Sequence, residues 1–119
     1  MNVESFREYC ISKKGVTEEL PFGPDTLVFK VMNKMFALSA IDNFSGFNAK
    51  CDPERAVELR GAYSAIRPGF HMNKKHWNTI DCDGSLPDSL IYELIDHSYE
   101  LVIESLPKKV RTELAEMQD

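Results

Sequence analysis

Little in this chain of 119 residues points to secretion, a membrane or a disulfide scaffold. Only three cysteines occur, Cys10, Cys51 and Cys82, widely spaced and without a CxxC motif. An odd, scattered set of thiols reads as reduced and buried, and it argues against a structural zinc site or a disulfide framework. No apolar run approaches the ~20 residues that span a bilayer, so no membrane association is expected. The opening MNVESFREYC places Glu4 and Glu8 where a signal peptide needs an uninterrupted apolar stretch, and a cytoplasmic location is expected. There is no internal repeat, linker or low-complexity segment. One domain over residues 1–119 is the expected organisation, with a monomer as the expected state.

Catalytic groups are equally sparse. His71 and His76 lie five apart, a spacing that serves neither one helix face nor one strand face as a metal-ligand pair. No Ser or Cys sits in a nucleophile motif. The LPFGPDT segment (20–26) lacks the glycine spacing and the following Lys-Ser/Thr of a phosphate loop. It reads instead as a rigid connector whose Leu20 and Phe22 plug the core. Neither an enzyme activity nor a cofactor is expected.

What is present is charge segregation. The net charge is −5, yet between Leu59 and Ile80 there is no acid, while Arg60, Arg67, Lys74 and Lys75 give +4. Between Asp81 and Pro107 there is no Lys or Arg, while seven acids give −7. Within that stretch Glu93, Asp96, Glu100 and Glu104 recur at helical spacing and read as a solvated face.

The local patterns place these charges on elements. Residues 3–14 keep a helical period and end near Gly15, suited to a left-handed terminal position. TLVFKVM (26–32), MFALSAI (35–41) and SGFNAKC (45–51) read as three strands, the first two joined by a short turn at Asn33-Lys34. Asp52-Pro53 starts a short helix ending near Gly61. AIRPGFH (65–71) and HWNTIDC (76–82) read as two more strands. Ser85 to Asp88 has capping-box spacing and opens the longest helix, with Ile91, Leu94, Ile95, Ser98, Val102 and Leu106 on its buried stripe. Pro107 breaks it, and 108–117 reads as a short helix with Val110, Leu114 and Met117 inward. The expectation is an α+β fold: an antiparallel sheet of about five strands covered by N- and C-terminal helices, in the order α-βββ-α-ββ-α-α.

Candidate binding residues concentrate in RPGFHMNKKHWN (67–78). Arg67, Lys74, Lys75 and His76 in and around a hairpin connection suit contact with phosphates, while Trp77 reads as a core residue of its strand. Cationic turns also keep β edges from pairing, the alternative reading of Lys74 and Lys75. Lys30 and Lys50 fall on the first three strands and join the set if they emerge on the same sheet face as Lys74.

LPFGPDTLVFKV, KMFAL, HMNKKHWNTI and the terminal LPKK together resemble the MmcQ/YjbR-like family, over a span from Tyr9 to about Arg111. The resemblance implies a fold similar to the bacterial frataxin homologue (CyaY-like). It also implies a double-wing DNA-binding role in which hairpins contact the duplex. Iron handling, the other property such a fold suggests, is not expected: frataxins are acidic along the first helix, whereas Arg7, Lys13 and Lys14 here offset Glu4 and Glu8. The expected partner is therefore double-stranded DNA, contacted by Lys74, Lys75, Arg67, His76, Lys30 and Lys50. The alternative is an adaptor domain that meets an acidic protein or holds a small ligand.

Overall fold

In the computed structural model, which describes residues 1–118, the chain runs α1 (Val3–Ile11), β1 (Val16–Glu19), β2 (Thr26–Val31), β3 (Lys34–Ala40), β4 (Gly46–Lys50), α2 (Pro53–Ala62), β5 (Ile66–Pro68), β6 (Trp77–Asp81), α3 (Asp88–Ser105) and α4 (Lys108–Glu116). The strands form one six-stranded sheet in the order β1-β2-β3-β4-β6-β5, with every neighbouring pair antiparallel. The α+β class and the element order match the sequence reading, and the strand count is six rather than five. The additional strand is β1, VTEE, whose four residues are too short and too polar to show a strand period. It is held by pairing with β2, from Val16 opposite Val31 to Glu19 opposite Val28.

The β2–β3 hairpin turns at Met32-Asn33, one residue earlier than the sequence suggested. Both residues have positive φ, 49° and 71°, the backbone of the two-residue turn whose twist matches a right-handed hairpin. Farther along this hairpin Phe29 faces Ala37 but Lys30 faces Met35, leaving Phe36 without a partner. This bulge puts Phe36 and Ala37 together in the helix-side core, and the Phe36 ring meets Tyr99 of α3 edge-on at 5.6 Å. Lys30, Met35 and Leu38 are left for the opposite face.

All four helices contribute to one core against one face of the sheet, through Phe6 and Cys10 (α1), Ala56 and Leu59 (α2), Ile91, Leu94, Ile95 and Val102 (α3) and Leu114 (α4). Phe6 is its centre: fully buried, stacked on Phe47 at 4.7 Å and edge-on to Phe29 at 5.4 Å. The buried stripe read from the sequence for α3 is buried throughout, including Leu106 just past its end. The opposite face bears no helix. Its apolar patch is small: Val28, Leu38 and Trp77, flanked by Met35 and Met72. Trp77 is a core residue as expected, but of this second patch.

Several local expectations change. The 20–26 connector does not plug the core: Leu20 and Phe22 are 51% and 63% exposed, because β1 occupies the sheet edge and carries the connector past it. Helix α1 ends at Ile11 rather than near 14, and Gly15 (φ 75°) serves the turn into β1. Ser85 does not cap α3; its N–H and hydroxyl both donate to Asp83 (2.9 and 2.6 Å), and the helix starts at Asp88 after Pro87. Met117 is 45% exposed because α4 ends before it. No helix among the described residues is long and apolar enough to cross a membrane.

Candidate functional site

Strand order and register gather the cations that the sequence scatters. The hairpins β2–β3 and β5–β6 flank β4 on either side. Pairing of Ala37 with Ala49 and of Lys50 with Trp77 brings the β2–β3 turn, the end of β4 and the β5–β6 connection (69–76) to one end of the sheet. That end carries Lys30 and Lys34 on the first hairpin, Lys50 at the close of β4, and Lys74, Lys75 and His76 on the second connection. With strands ~4.8 Å apart, the two hairpin axes lie about 14 Å apart, with Lys50 between them. Alternation along the strands puts Lys30, Lys50 and Arg67 on the helix-free face, in line with Val28, Trp77 and Thr79.

The six expected contact residues differ in what they are already doing. Arg67 does not reach into solvent as a free cation: its Nε and a terminal nitrogen bind the two Asp81 carboxylate oxygens at 2.9 and 2.8 Å. Lys30 is held by Glu19 at 3.2 Å. The expectation of one continuous basic surface through these two is therefore corrected. Antiparallel neighbours place a carboxylate beside each, on β6 and β1. Lys74 is exposed, and its ammonium donates one hydrogen bond to the Gly69 carbonyl (2.9 Å), leaving two donors. Lys75 is exposed and Lys50 half-buried, and neither forms an ion pair within 4.0 Å among the described residues. His76 is half-buried, with its carbonyl accepting from Cys51 N–H at 2.8 Å. Lys34, exposed at the turn, belongs to the same end although the sequence reading left it out of the contact set.

The 69–76 connection is braced from below. Arg60 of α2 donates through Nε to Asn78 Oδ1 (2.7 Å), and a terminal nitrogen donates to the Lys74 carbonyl and to that of Trp77 (3.3 Å). Asn73 Oδ1 accepts from Lys75 and His76 N–H (2.9 and 3.3 Å), closing the turn. Arg60, counted in the sequence only as surface charge, is thus a structural cation. Its spacing on α2 gave no sign of this, because its acceptors are mostly carbonyls that a distant strand and turn supply.

The acid stripe of α3 is only partly a solvated face. Glu93 accepts from Arg55 at 2.7 Å, and Asp96 accepts from Lys13 (2.5 Å) and the Tyr9 hydroxyl (2.7 Å), fastening α2 and α1 to α3. Burial, then the hydrogen bond to Asp96, pushes the Tyr9 hydroxyl up to about 12. Burial likewise raises the thiols, Cys10 to about 12 and Cys51 and Cys82 to about 11, so none is a thiolate at neutral pH. His97 Nε2 accepts from Asp52 N–H at 3.2 Å, and burial, then Arg55, lowers its affinity for a proton.

A family model described as YjbR matches residues 11–101. The uncharacterized protein YjbR of Escherichia coli K12 is 36% identical over 118 residues, covering 98% of this chain and all of that protein. The uncharacterized YyaQ of Bacillus subtilis 168 is 35% identical over 75 residues, 63% of each chain. Among solved structures, the Deinococcus radiodurans protein DR2400 superposes with a TM-score of 0.87 at 42% identity, covering 96% of this chain and 88% of its own. A Pseudomonas syringae protein superposes with a TM-score of 0.72 at 30% identity, covering 85% and 98%.

Proposed function

The chain belongs to the YjbR family, and from that premise we propose that it is a non-catalytic DNA-binding module that grips duplex phosphates with two hairpin wings. The observation that carries this reading is the register that brings Lys34, Lys50, Lys74 and Lys75 to one end of the sheet, on two hairpins and the strand between them. A separation of about 14 Å between the hairpin axes is comparable to the ~12 Å width of the major groove. Lysines at turns neutralise phosphates without reading base edges, so the expected binding has little sequence preference.

The net charge of −5 does not oppose this. Glu100 and Glu104 of the α3 stripe, without an ion-pair partner among the described residues, lie on α3, on the helix side of the sheet and away from its helix-free face. The screening length at physiological salt is ~8 Å, so a phosphate at the wings responds mainly to the nearby lysines. Raised thiol pKa values, and a His97 imidazole already engaged as an acceptor, support the non-catalytic part.

The test is a salt-titrated binding assay with duplex DNA. Four phosphate contacts give a slope of log affinity against log salt of about −3.6. Lys74→Glu with Lys75→Glu is expected to abolish binding at moderate salt. Absence of binding at low salt, or a double variant that binds as the parent does, overturns the proposal.

A further inference from the structure

The helix-free face carries an exposed aromatic ring whose backbone is held unusually firmly. Phe70 is 63% exposed. Its N–H donates to Thr79 Oγ1 (2.9 Å), the Thr79 hydroxyl donates to Asn48 Oδ1 (2.5 Å), and Asn48 Nδ2 donates back to the Phe70 carbonyl (3.3 Å). Asn48 and Thr79 are cross-strand partners on β4 and β6, so a closed cycle of hydrogen bonds clamps the Phe70 backbone to the sheet. Gly69 makes this approach feasible: a Cβ there would lie 2.8 Å from Trp77 Cβ and 2.9 Å from its carbonyl oxygen. His71 follows with φ 58°, its ring centroid 4.0 Å from that of Phe70. A side chain in a left-handed backbone carries a steric cost, and here the same segment leaves a large apolar ring in water.

Phe70 stands over a cleft of about 460 Å³, with Phe22 of the 20–26 connector, also 63% exposed, lining it as well. Leu38 and Ala40 lie on its sheet side and Met72 on its loop side. A shallower cleft of about 320 Å³ continues from Phe70 toward Arg67 and Asp81. The Arg and Asp along this surface, Arg67 and Asp81, are matched to each other, and Asn48 and Thr79 are matched through the cycle, while Thr26, Ser39 and His71 also line it. A charged occupant would find no unpaired opposite charge among them, and its desolvation would go uncompensated. Two aromatic rings beside an aliphatic floor instead suit a flat ring system, which they can meet by stacked or edge contacts. The volume falls within the range of small-molecule sites.

We propose that this cleft is a binding site for a small, planar, uncharged aromatic compound held between Phe22 and Phe70. The inference does not depend on the DNA-binding reading, since it uses none of the wing lysines. Trp77, the only tryptophan, packs with Leu38 and Met72 beneath and beside the cleft, so its emission reports occupancy.

The test titrates the full chain with N-phenyl-1-naphthylamine, an uncharged aromatic probe, following both probe and Trp77 emission. Saturable one-to-one binding is expected, and a change from 50 to 500 mM salt should not weaken it. Phe70→Ala and Phe22→Ala should each weaken it at least tenfold without loss of fold by circular dichroism, because both rings are largely outside the core. Thr79→Val keeps the side-chain shape but opens the hydrogen-bond cycle, and should weaken binding while Phe70 remains. The proposal is overturned by an absence of saturable binding, by unchanged affinity in both phenylalanine variants, or by a concentration-dependent dimer that both variants dissolve, which would assign the face to a second copy of the chain. Weakened DNA binding in Lys75→Glu alone leaves this titration unchanged: the Lys75 side chain has no hydrogen bond to the Phe70 segment among the described residues, unlike Lys74, which holds the Gly69 carbonyl.

Discussion

Arg67 and Asp81 meet across the β5–β6 hairpin in a two-point ion pair, at 2.9 and 2.8 Å, on the helix-free face. Arg67 is half exposed, and an exposed pair of this kind contributes at most about 1 kcal/mol to stability. Its consequence is larger for binding than for folding, because Asp81 occupies a guanidinium whose geometry suits a phosphate. Asp81→Asn should therefore free Arg67, raise duplex affinity at low salt and steepen the salt slope by about 0.9, with little change in thermal midpoint. Fluorescence anisotropy at several salt concentrations measures both quantities. An unchanged slope would place Arg67 outside the DNA contact.

The two wings make separable demands on the duplex. Lys34→Gln removes a cation from the β2–β3 turn and Lys75→Gln removes one from the β5–β6 connection, and neither residue has an ion-pair partner to strand among the described residues. Each substitution should flatten the salt slope by about 0.9, and the double variant by about 1.8. A slope that responds only to Lys75 would reduce the interface to one wing.

How far the sequence disclosed this arrangement depended on whether the signal was local. The α3 stripe from Ile91 to Leu106 and the Asp52-Pro53 start of α2 follow from helical period and capping chemistry, which neighbours along the chain determine. Strand β1 escaped because VTEE gains its order from pairing with β2. The grouping of Lys34, Lys50 and Lys75 is a product of register, and single-strand patterns carry no information about which ends coincide. Pairing of Lys30 with Glu19 and of Arg67 with Asp81 is invisible for the same reason: each partner lies eleven or more positions away.

Arg60 tests whether the β5–β6 wing is preorganised. Its three acceptors, Asn78 Oδ1 and the carbonyls of Lys74 and Trp77, require a planar fork, which a lysine lacks. Arg60→Lys should lower stability by roughly 1–3 kcal/mol, as partly buried acceptors lose donors. Amide hydrogen exchange should accelerate in residues 70–76 more than in β2 or β3. Uniform acceleration across the sheet would show that Arg60 supports the whole fold rather than the wing.

The β4–β6 pairing that carries Asn48, Lys50, Trp77 and Thr79 depends on a close backbone approach at Gly46. A Cβ there would sit 2.1 Å from the Ile80 carbonyl oxygen and 3.0 Å from Asp81 Cα, and both atoms belong to backbone that cannot rotate away. Gly46→Ala should therefore destabilise the chain by about 1–3 kcal/mol through overpacking, measurable by urea denaturation. Gly61 is a control on α2, where a Cβ meets nothing within 4 Å. Gly61→Ala should leave stability unchanged or raise it by up to ~1 kcal/mol. Equal effects at both positions would contradict the packing described for Gly46.

Stability should also fall with acid through His97. Its Nε2 accepts the Asp52 N–H at the start of α2, a bond only the neutral imidazole can make, and burial followed by Arg55 disfavours the proton. The folded-state pKa is thus below the ordinary 6.5, and the unfolded chain binds the proton more readily. By linkage the stabilisation is complete above pH ~6.5 and is lost progressively as pH falls from there toward the lower folded value. Urea denaturation at pH 7.5 and 5.5 measures it. His97→Gln retains an acceptor without a titrating group, so it should lose less stability over that interval than the parent, even if it starts lower. Identical losses in the two proteins would remove His97 as the source. Glu19 and Asp83, whose pKa values are depressed by hydrogen bonds (from Thr17 and then Lys30 at Glu19, from Ser85 at Asp83), stay ionised over that interval and lose their contribution only below their ordinary values of 4.5 and 3.8.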